Sequence, residues 1–128
     1  MQLQGLHHVA LICSDYVRSK AFYTEVLPFK ITSEQYRAER ESYKLDLTLN
    51  GQYLIELFSF PNVPNRLSRP EAAGLRHLAF RVDNLEQWIN HLESKGVSCE
   101  PIRTDEYTGK RFTFFTDPDH LPLELYEQ

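Results

Sequence analysis

Apolar and polar residues along the chain first alternate and then fall into helical spacing, and the whole succession occurs twice. Leu6 to Cys13 reads as a strand. Leu6, His8, Ala10 and Ile12 share one face, and His7, Val9, Leu11 and Cys13 share the other. Both faces are largely apolar, which predicts cover on both sides. Ser14 and Asp15 are helix-capping residues. Val17, Ala21, Phe22, Glu25 and Val26 then recur at helical spacing, and Pro28 ends the helix. Residues 29–37 read as extended. Tyr43, Leu45, Leu47 and Leu49 alternate with Lys44, Asp46, Thr48 and Asn50, the signature of a half-buried strand. Asn50-Gly51 tolerates positive φ at both positions and predicts a hairpin into a strand over residues 53–60.

Residues 61–73 contain Pro61, Pro64 and Pro70 with little apolar content, and read as a linker. Beyond it the order repeats. Leu75 to Val82 is a strand, and Asp83 with Glu86 has the form of a capping box. Leu85, Trp88, Ile89 and Leu92 form an apolar helical stripe, closed by Gly96 at a C-terminal cap position. Residues 97–103 read as extended and 104–109 as a polar loop. Lys110 to Thr116 is a strand, Asp117-Pro118-Asp119-His120 a turn, and Leu121 to Tyr126 the last strand. Each half reads β-α-β-β-β. The expectation is an α+β protein of two tandem βαβββ modules, about 5–60 and 74–127, within one domain spanning 1–128.

The repeat extends to chemistry-bearing residues. Gly5-Leu6-His7-His8-Val9-Ala10-Leu11 returns as Gly74-Leu75-Arg76-His77-Leu78-Ala79-Phe80. Leu54-Ile55-Glu56-Leu57-Phe58 returns as Pro122-Leu123-Glu124-Leu125-Tyr126. Each half therefore opens with a histidine on an apolar strand and closes with a glutamate on another. A carboxylate on an apolar strand face is costly to bury alone and calls for a cation, a hydrogen-bond partner or protonation. Two imidazoles and two carboxylates balance a divalent ion and suit nickel, cobalt, zinc, manganese or iron. His8, Glu56, His77 and Glu124 are the candidate ligands. In octahedral geometry two positions stay open for water or a chelating substrate, and a metal with open positions can polarise a carbonyl. A glutamate able to loosen from the metal could act as general base. His7 is expected to point away from His8 and reads as structural. His91 reads as a solvated helix residue, and His120 lies in the turn before Glu124. Lys110 and Arg111 could meet an anionic substrate or form a solvated strand end, and Tyr107 lies in the polar loop.

Bulk properties narrow the partners. The 128 residues suffice for one domain with a core; 41% are hydrophobic and 25% charged. A net charge of −4 argues against nucleic acid or an anionic membrane as the main partner. There is no 18-residue apolar run and no basic segment leading a long apolar one, so a cytoplasmic location is expected. Cys13 and Cys99 form no CxxC pair and are expected to be reduced.

The βαβββ duplication, with His8-Val9-Ala10, Ile55-Glu56-Leu57, His77-Leu78-Ala79 and Leu123-Glu124-Leu125, resembles the vicinal oxygen chelate superfamily, in particular glyoxalase I-like proteins. Phe22-Tyr23 and Asp117-Pro118-Asp119 match that pattern too. The resemblance spans Leu6 to Tyr126. It implies a cupped mixed sheet and one divalent metal held by His8, Glu56, His77 and Glu124. It further implies Glu124 as the proton-shuttling base, with Glu56 sharing the work. The implied reaction isomerises the hemithioacetal of methylglyoxal and glutathione to S-lactoylglutathione, the metal holding the enediolate oxygens. The partner would be a small molecule such as a glutathione adduct. In such proteins the modules pair within one chain or across a dimer, and a homodimer is expected here. Other chemistries on the same scaffold are epimerisation, fosfomycin-type thiol transfer and ring cleavage by a dioxygenase, the last two typically with two His and one Glu. Bleomycin-resistance-type binders share the fold without the metal quartet. The chain departs from the pattern at His120, where glycine is common, and shows no diagnostic glutathione-binding set.

Overall fold

The computed structural model describes residues 1–128, which form two compact units, Met1–Asn65 and Arg66–Gln128. The division falls inside the predicted linker. The first unit contains β1 (Val9–Cys13), α1 (Tyr16–Ala21), β2 (Lys30–Arg37), β3 (Ser42–Leu49) and β4 (Gln52–Ser59). The second contains β5 (Leu78–Val82), α2 (Leu85–Ser94), β6 (Arg103–Thr104), β7 (Arg111–Thr116) and β8 (Pro122–Glu127). Each unit has one open four-stranded mixed sheet, ordered β1-β4-β3-β2 in the first and β5-β8-β7-β6 in the second. In both, the first strand runs parallel to the last and the other pairings are antiparallel. This is the expected α+β pattern of tandem βαβββ modules.

Each sheet has one buried face. In the first unit that face carries Leu11, Cys13, Leu45, Leu47, Ile55 and Leu57, none more than 8% exposed. In the second it carries Val82, Thr113, Phe115, Leu123 and Leu125, packed with Leu85 and Leu92 of α2. The opposite faces are open: Ile12 is 59% exposed, and Ala10 and Ala79 are exposed. The expectation that the first strand is covered on both sides is therefore corrected. Each unit has a single crossover helix and the wall it buries is one-sided.

Local chemistry sets the element ends. Asp15 caps α1 by accepting a hydrogen bond from the Arg18 amide at 3.1 Å. The helix then widens into a π-helical turn over Phe22–Val26, which buries Phe22 and Tyr23, before Pro28. In α2 the cap is Asn84, accepting from the Gln87 amide at 2.9 Å, and not the predicted Asp83. The helix starts at Leu85, which is fully buried, so the cap falls one position later than predicted. Gly96, at φ 78°, closes α2, and the amides of Gly96 and Val97 reach back to the carbonyls of Glu93 and Leu92. Of the extended 97–103 segment only Arg103 enters a strand, which it shares with Thr104 of the predicted polar loop. Upstream, Glu100 is tied to β7 by its amide to the Phe114 carbonyl at 2.8 Å and by its carbonyl to the Thr113 hydroxyl at 2.6 Å. In the last turn the Asp117 carboxylate accepts the amides of Asp119 and Leu121, leaving His120 left-handed at φ 64°.

Asn50 (φ 51°) and Gly51 (φ 78°) make the predicted tight hairpin. Next to it the register changes. Thr48 opposes Tyr53, but Leu47 opposes Ile55, so β4 carries one extra residue, a β-bulge. The bulge puts Ile55 and Leu57 on the buried face with Leu45 and Leu47. It also puts Glu56 opposite Asp46 on the open face.

Candidate active site

The two histidine–glutamate pairs form in the same way. β1 lies parallel to β4 with Ala10 opposite Glu56, and β5 lies parallel to β8 with Ala79 opposite Glu124. The alanines leave room on the open face. His8 and His77 each stand one residue before their strand and two before the alanine. His8 Nε2 lies 3.9 Å from a Glu56 oxygen, and His77 Nε2 lies 3.0 Å from a Glu124 oxygen. Each glutamate thus stands beside the histidine of its own unit.

The surroundings of the two pairs differ. Glu56 is held: its carboxylate is 3.4 Å from the Lys44 ammonium and accepts the Tyr53 hydroxyl at 3.0 Å. Tyr53 also reaches Asp46 at 3.2 Å, and Lys44 binds Asp46 at 2.7 Å. Burial, reinforced by the hydrogen bond to Glu56, pushes the Tyr53 hydroxyl above its usual range, so it remains a donor at neutral pH. The bond to Asp46 raises Lys44 against the opposing effect of burial, so it stays an ammonium. Around Glu124 the counterparts of Asp46 and Lys44 in the register are Phe114 and Phe112. Glu124 is 9% exposed, and its one polar partner is His77, whose ring meets Phe114 edge-on.

His7 does not point away from His8 as expected. Its Nδ1 is 2.8 Å from His8 Nδ1, and its ring stands edge-on to both His8 and Tyr53. The strand begins only at Val9, so strand alternation does not govern residues 7 and 8. The contact leaves His8 Nε2 directed at Glu56. His7, His8, Lys44, Asp46, Tyr53 and Glu56 line a cleft of about 480 Å³.

In the second unit, His77 and Glu124 line a cleft of about 820 Å³, within the range of small-molecule sites. His120 lies on it, as do Arg66, Arg69, Arg76 and Arg103, which sequence reasoning left unassigned. Arg66 and Arg69 fall in the predicted linker, and Arg76 and Arg103 carried no sequence signal of their own. Arg111 is elsewhere engaged, in paired contacts with Glu127 at 2.7 Å and Glu86 at 2.5 and 3.1 Å, so it is structural. Tyr107 is 90% exposed, and the loop it belongs to is closed by Tyr126 bonding to Asp105 and Thr108. His91 packs edge-on against Trp88. Neither cysteine is in a disulfide; burial pushes the Cys99 thiol up, away from thiolate character.

Neither pair draws in a third His, Cys, Asp or Glu close enough to form a metal-binding group by itself. The donor chemistry nevertheless fits a divalent ion. Each pair turns an imidazole nitrogen and a carboxylate oxygen toward one another. Glu124, mostly buried, lacks a lysine or arginine, and a cation would supply the charge that its surroundings withhold.

Residues 5–125 match the Glyoxalase/Bleomycin resistance protein/Dioxygenase superfamily. The chain belongs to this superfamily. Its members include many metalloenzymes and typically bind a divalent metal. The uncharacterized protein YwkD of Bacillus subtilis is 65% identical over 128 residues, covering 100% of both chains. The crystal structure of a glyoxalase family protein from Enterococcus faecalis superposes with a TM-score of 0.92 at 49% identity, covering 99% of this chain and 100% of that one. More distant relatives have assigned activities. A lactoylglutathione lyase of Schizosaccharomyces pombe is 30% identical over all of this chain but only 49% of its own length. A metallothiol transferase FosB of Staphylococcus saprophyticus is 29% identical over 97% of this chain and 77% of its own. No helix is long and apolar enough to cross a membrane.

Proposed function

We propose that this protein is a metal-dependent, glyoxalase I-like lyase or isomerase. His8, Glu56, His77 and Glu124 hold one divalent ion (nickel, cobalt, zinc, manganese or iron), and Glu124 moves the proton. The observation that carries the reading is the repeated pair: in both units the same strand register sets an imidazole Nε2 within 4 Å of a glutamate oxygen. A divalent ion there would polarise a substrate carbonyl and make the adjacent C–H more acidic. The protein groups do the rest. Glu56, held by Lys44 and Tyr53, has little freedom to leave its position. Glu124 has one partner, a half-buried imidazole, and lies beside Phe114 and Pro122 on the wall of the cleft. It is the carboxylate that can loosen, take a proton from one substrate carbon and return it to the next. The methylglyoxal–glutathione hemithioacetal is the first substrate to test. The protein is read as a cytoplasmic homodimer.

One observation favours a second reading. If Lys44 and Tyr53 keep Glu56 for themselves, His8, His77 and Glu124 remain, the two-His, one-Glu set of thiol transferases and dioxygenases. Cobalt titration separates the two. With four ligands, cobalt binds one equivalent with a visible ligand-field spectrum, and both Glu56→Gln and His77→Ala weaken it at least tenfold. With three ligands, Glu56→Gln leaves the affinity unchanged. Less than about 0.2 equivalents of any of the five metals, with no change on His77→Ala, removes both readings. Turnover of methylglyoxal with glutathione, assayed in each metal, tests the substrate.

A further inference from the structure

We propose that the cleft of the second unit captures a small organic anion, a carboxylate or phosphonate-type group on a flat apolar body. Arg69 and Arg103 hold the charge, and Phe112 and Phe114 hold the body. The inference builds on the reading of His77 and Glu124 as part of the reacting centre, but anion capture needs no metal.

Charge is the first argument. The chain carries a net −4, yet this cleft has four arginines against three glutamates. Each glutamate is already engaged: Glu71 with Arg76 at 2.8 Å, Glu100 with Arg103 at 3.2 Å, and Glu124 with His77 at 3.0 Å. Arg66 is spent on structure, its guanidinium bonded to the Ser68 hydroxyl and to the carbonyls of Leu75 and Arg76. Arg66 and Arg69 both lack a carboxylate partner, and Arg69, which makes no hydrogen bond or ion pair, has all its donors unspent. A positive cleft in an acidic protein concentrates anions.

Preorganisation is the second. Arg103 lies over the rings of Phe112 and Phe114, with its guanidinium carbon 5.1 and 5.5 Å from their centroids. Its single polar partner, Glu100, leaves most of its five donors free. A guanidinium braced on two rings loses little freedom when it grips a carboxylate or phosphonate. The rings themselves offer an apolar surface beside it.

Orientation follows. The Glu124 carboxylate repels a second anion, so the charged end must lie with the arginines. The uncharged part then extends along Phe114 toward Glu124, which is where a proton would be moved.

The test uses metal-free protein in EDTA, so that a probe cannot bind by chelation. Phenylphosphonate, benzoate and neutral benzyl alcohol are titrated calorimetrically. Both anions are expected to bind, the phosphonate more tightly, and benzyl alcohol at least tenfold more weakly. Arg69→Gln and Arg103→Gln should each weaken the anions at least tenfold, while Arg111→Gln, whose arginine is locked by Glu86 and Glu127, should not. Binding of benzyl alcohol as tight as that of the anions overturns the proposal. So does the absence of anion binding, or anion binding that survives both cleft substitutions. None of these results depends on the cobalt titration, so the metal reading and the anion reading can fail separately.

Discussion

The two equivalent glutamates should respond to the same substitution with opposite signs in the metal-free protein. Glu56 and Glu124 are similarly shielded, with side chains 16% and 12% exposed. Replacement by methionine keeps length and removes charge. At Glu124 the carboxylate is lost from between Phe114, Pro122 and Tyr126, and its sole partner, His77, is 28% exposed and can be rehydrated. Exchanging a poorly compensated buried ion for an apolar side chain ranges from neutral to a gain of a few kcal/mol. The low end, about 1 kcal/mol of stabilisation, applies because His77 remains. At Glu56 the same change strips partners from Lys44 and Tyr53. The Lys44 contact is partly solvated and worth roughly 0.5 kcal/mol. The Tyr53 hydrogen bond to a charged acceptor is worth roughly 1.5 kcal/mol. Asp46 still serves both groups, and one desolvated charge is gone, so the net cost is about 1 kcal/mol.

The two variants should therefore differ by about 2 kcal/mol, which for a chain of this length separates their melting temperatures by roughly 7 °C. Thermal unfolding in EDTA measures it: Glu124→Met above wild type, Glu56→Met below. Saturating cobalt should reverse the order at the top. Wild type then gains about 4 kcal/mol at a thousandfold excess over Kd, and Glu124→Met, lacking a ligand, gains far less. If both variants shift in the same direction by similar amounts without metal, the asymmetry between a held and an unheld glutamate is wrong, and with it the assignment of Glu124 as the mobile base.

Other outcomes follow from single contacts. His7→Ala should weaken cobalt binding about tenfold, because a ligating imidazole is oriented by the group at its other nitrogen, here His7 on His8 Nδ1. A chain lacking His8 and Glu56, mixed in equal amount and refolded with one lacking His77 and Glu124, should regain about a quarter of the wild-type cobalt stoichiometry if the pairs combine across a dimer, because about half the dimers are mixed and each carries one complete site of two; no recovery means they combine within a chain. Hydrogen bonds from Arg111 hold Glu127 and Glu86 below the usual carboxylate range. A depressed folded pKa contributes stability that is present above the unfolded value, about 4.3, and is lost as pH falls through the folded one. Arg111→Gln should therefore flatten the acid limb of the stability curve below pH about 4 while leaving its shape above pH 6 unchanged; an unaltered acid limb in denaturation measurements contradicts this. His120→Gly should raise stability by about 0.5 kcal/mol, the left-handed strain relieved exceeding the added chain entropy.

The repeat made the fold and the four candidate ligands legible, because period and spacing are properties of the chain. What surrounds the ligands depended on register. Leu45 and Leu47 must share a face with Ile55 and Leu57, which pairs residues whose numbers sum to an even value. A two-residue turn at Asn50-Gly51 pairs residues whose numbers sum to an odd value, as Leu49 with Gln52 and Thr48 with Tyr53 do. The two signals conflict, and only one extra residue in the ladder reconciles them. The bulge was thus written in the sequence as a contradiction, and resolving it places Asp46 and Lys44 on the face with Glu56. No such conflict exists between β7 and β8, where the equivalent places belong to Phe114 and Phe112. His7 escaped for a related reason: it lies before the strand whose alternation was used to place it. The arginine cleft was illegible because residues 66–76 are irregular backbone and Arg103 stands in a strand of only two residues, so neither periodicity applies. Duplication therefore fixed where the paired histidines and glutamates stand, while divergence in the opposing strands gave Glu56 a lysine and a tyrosine and left Glu124 with His77 alone.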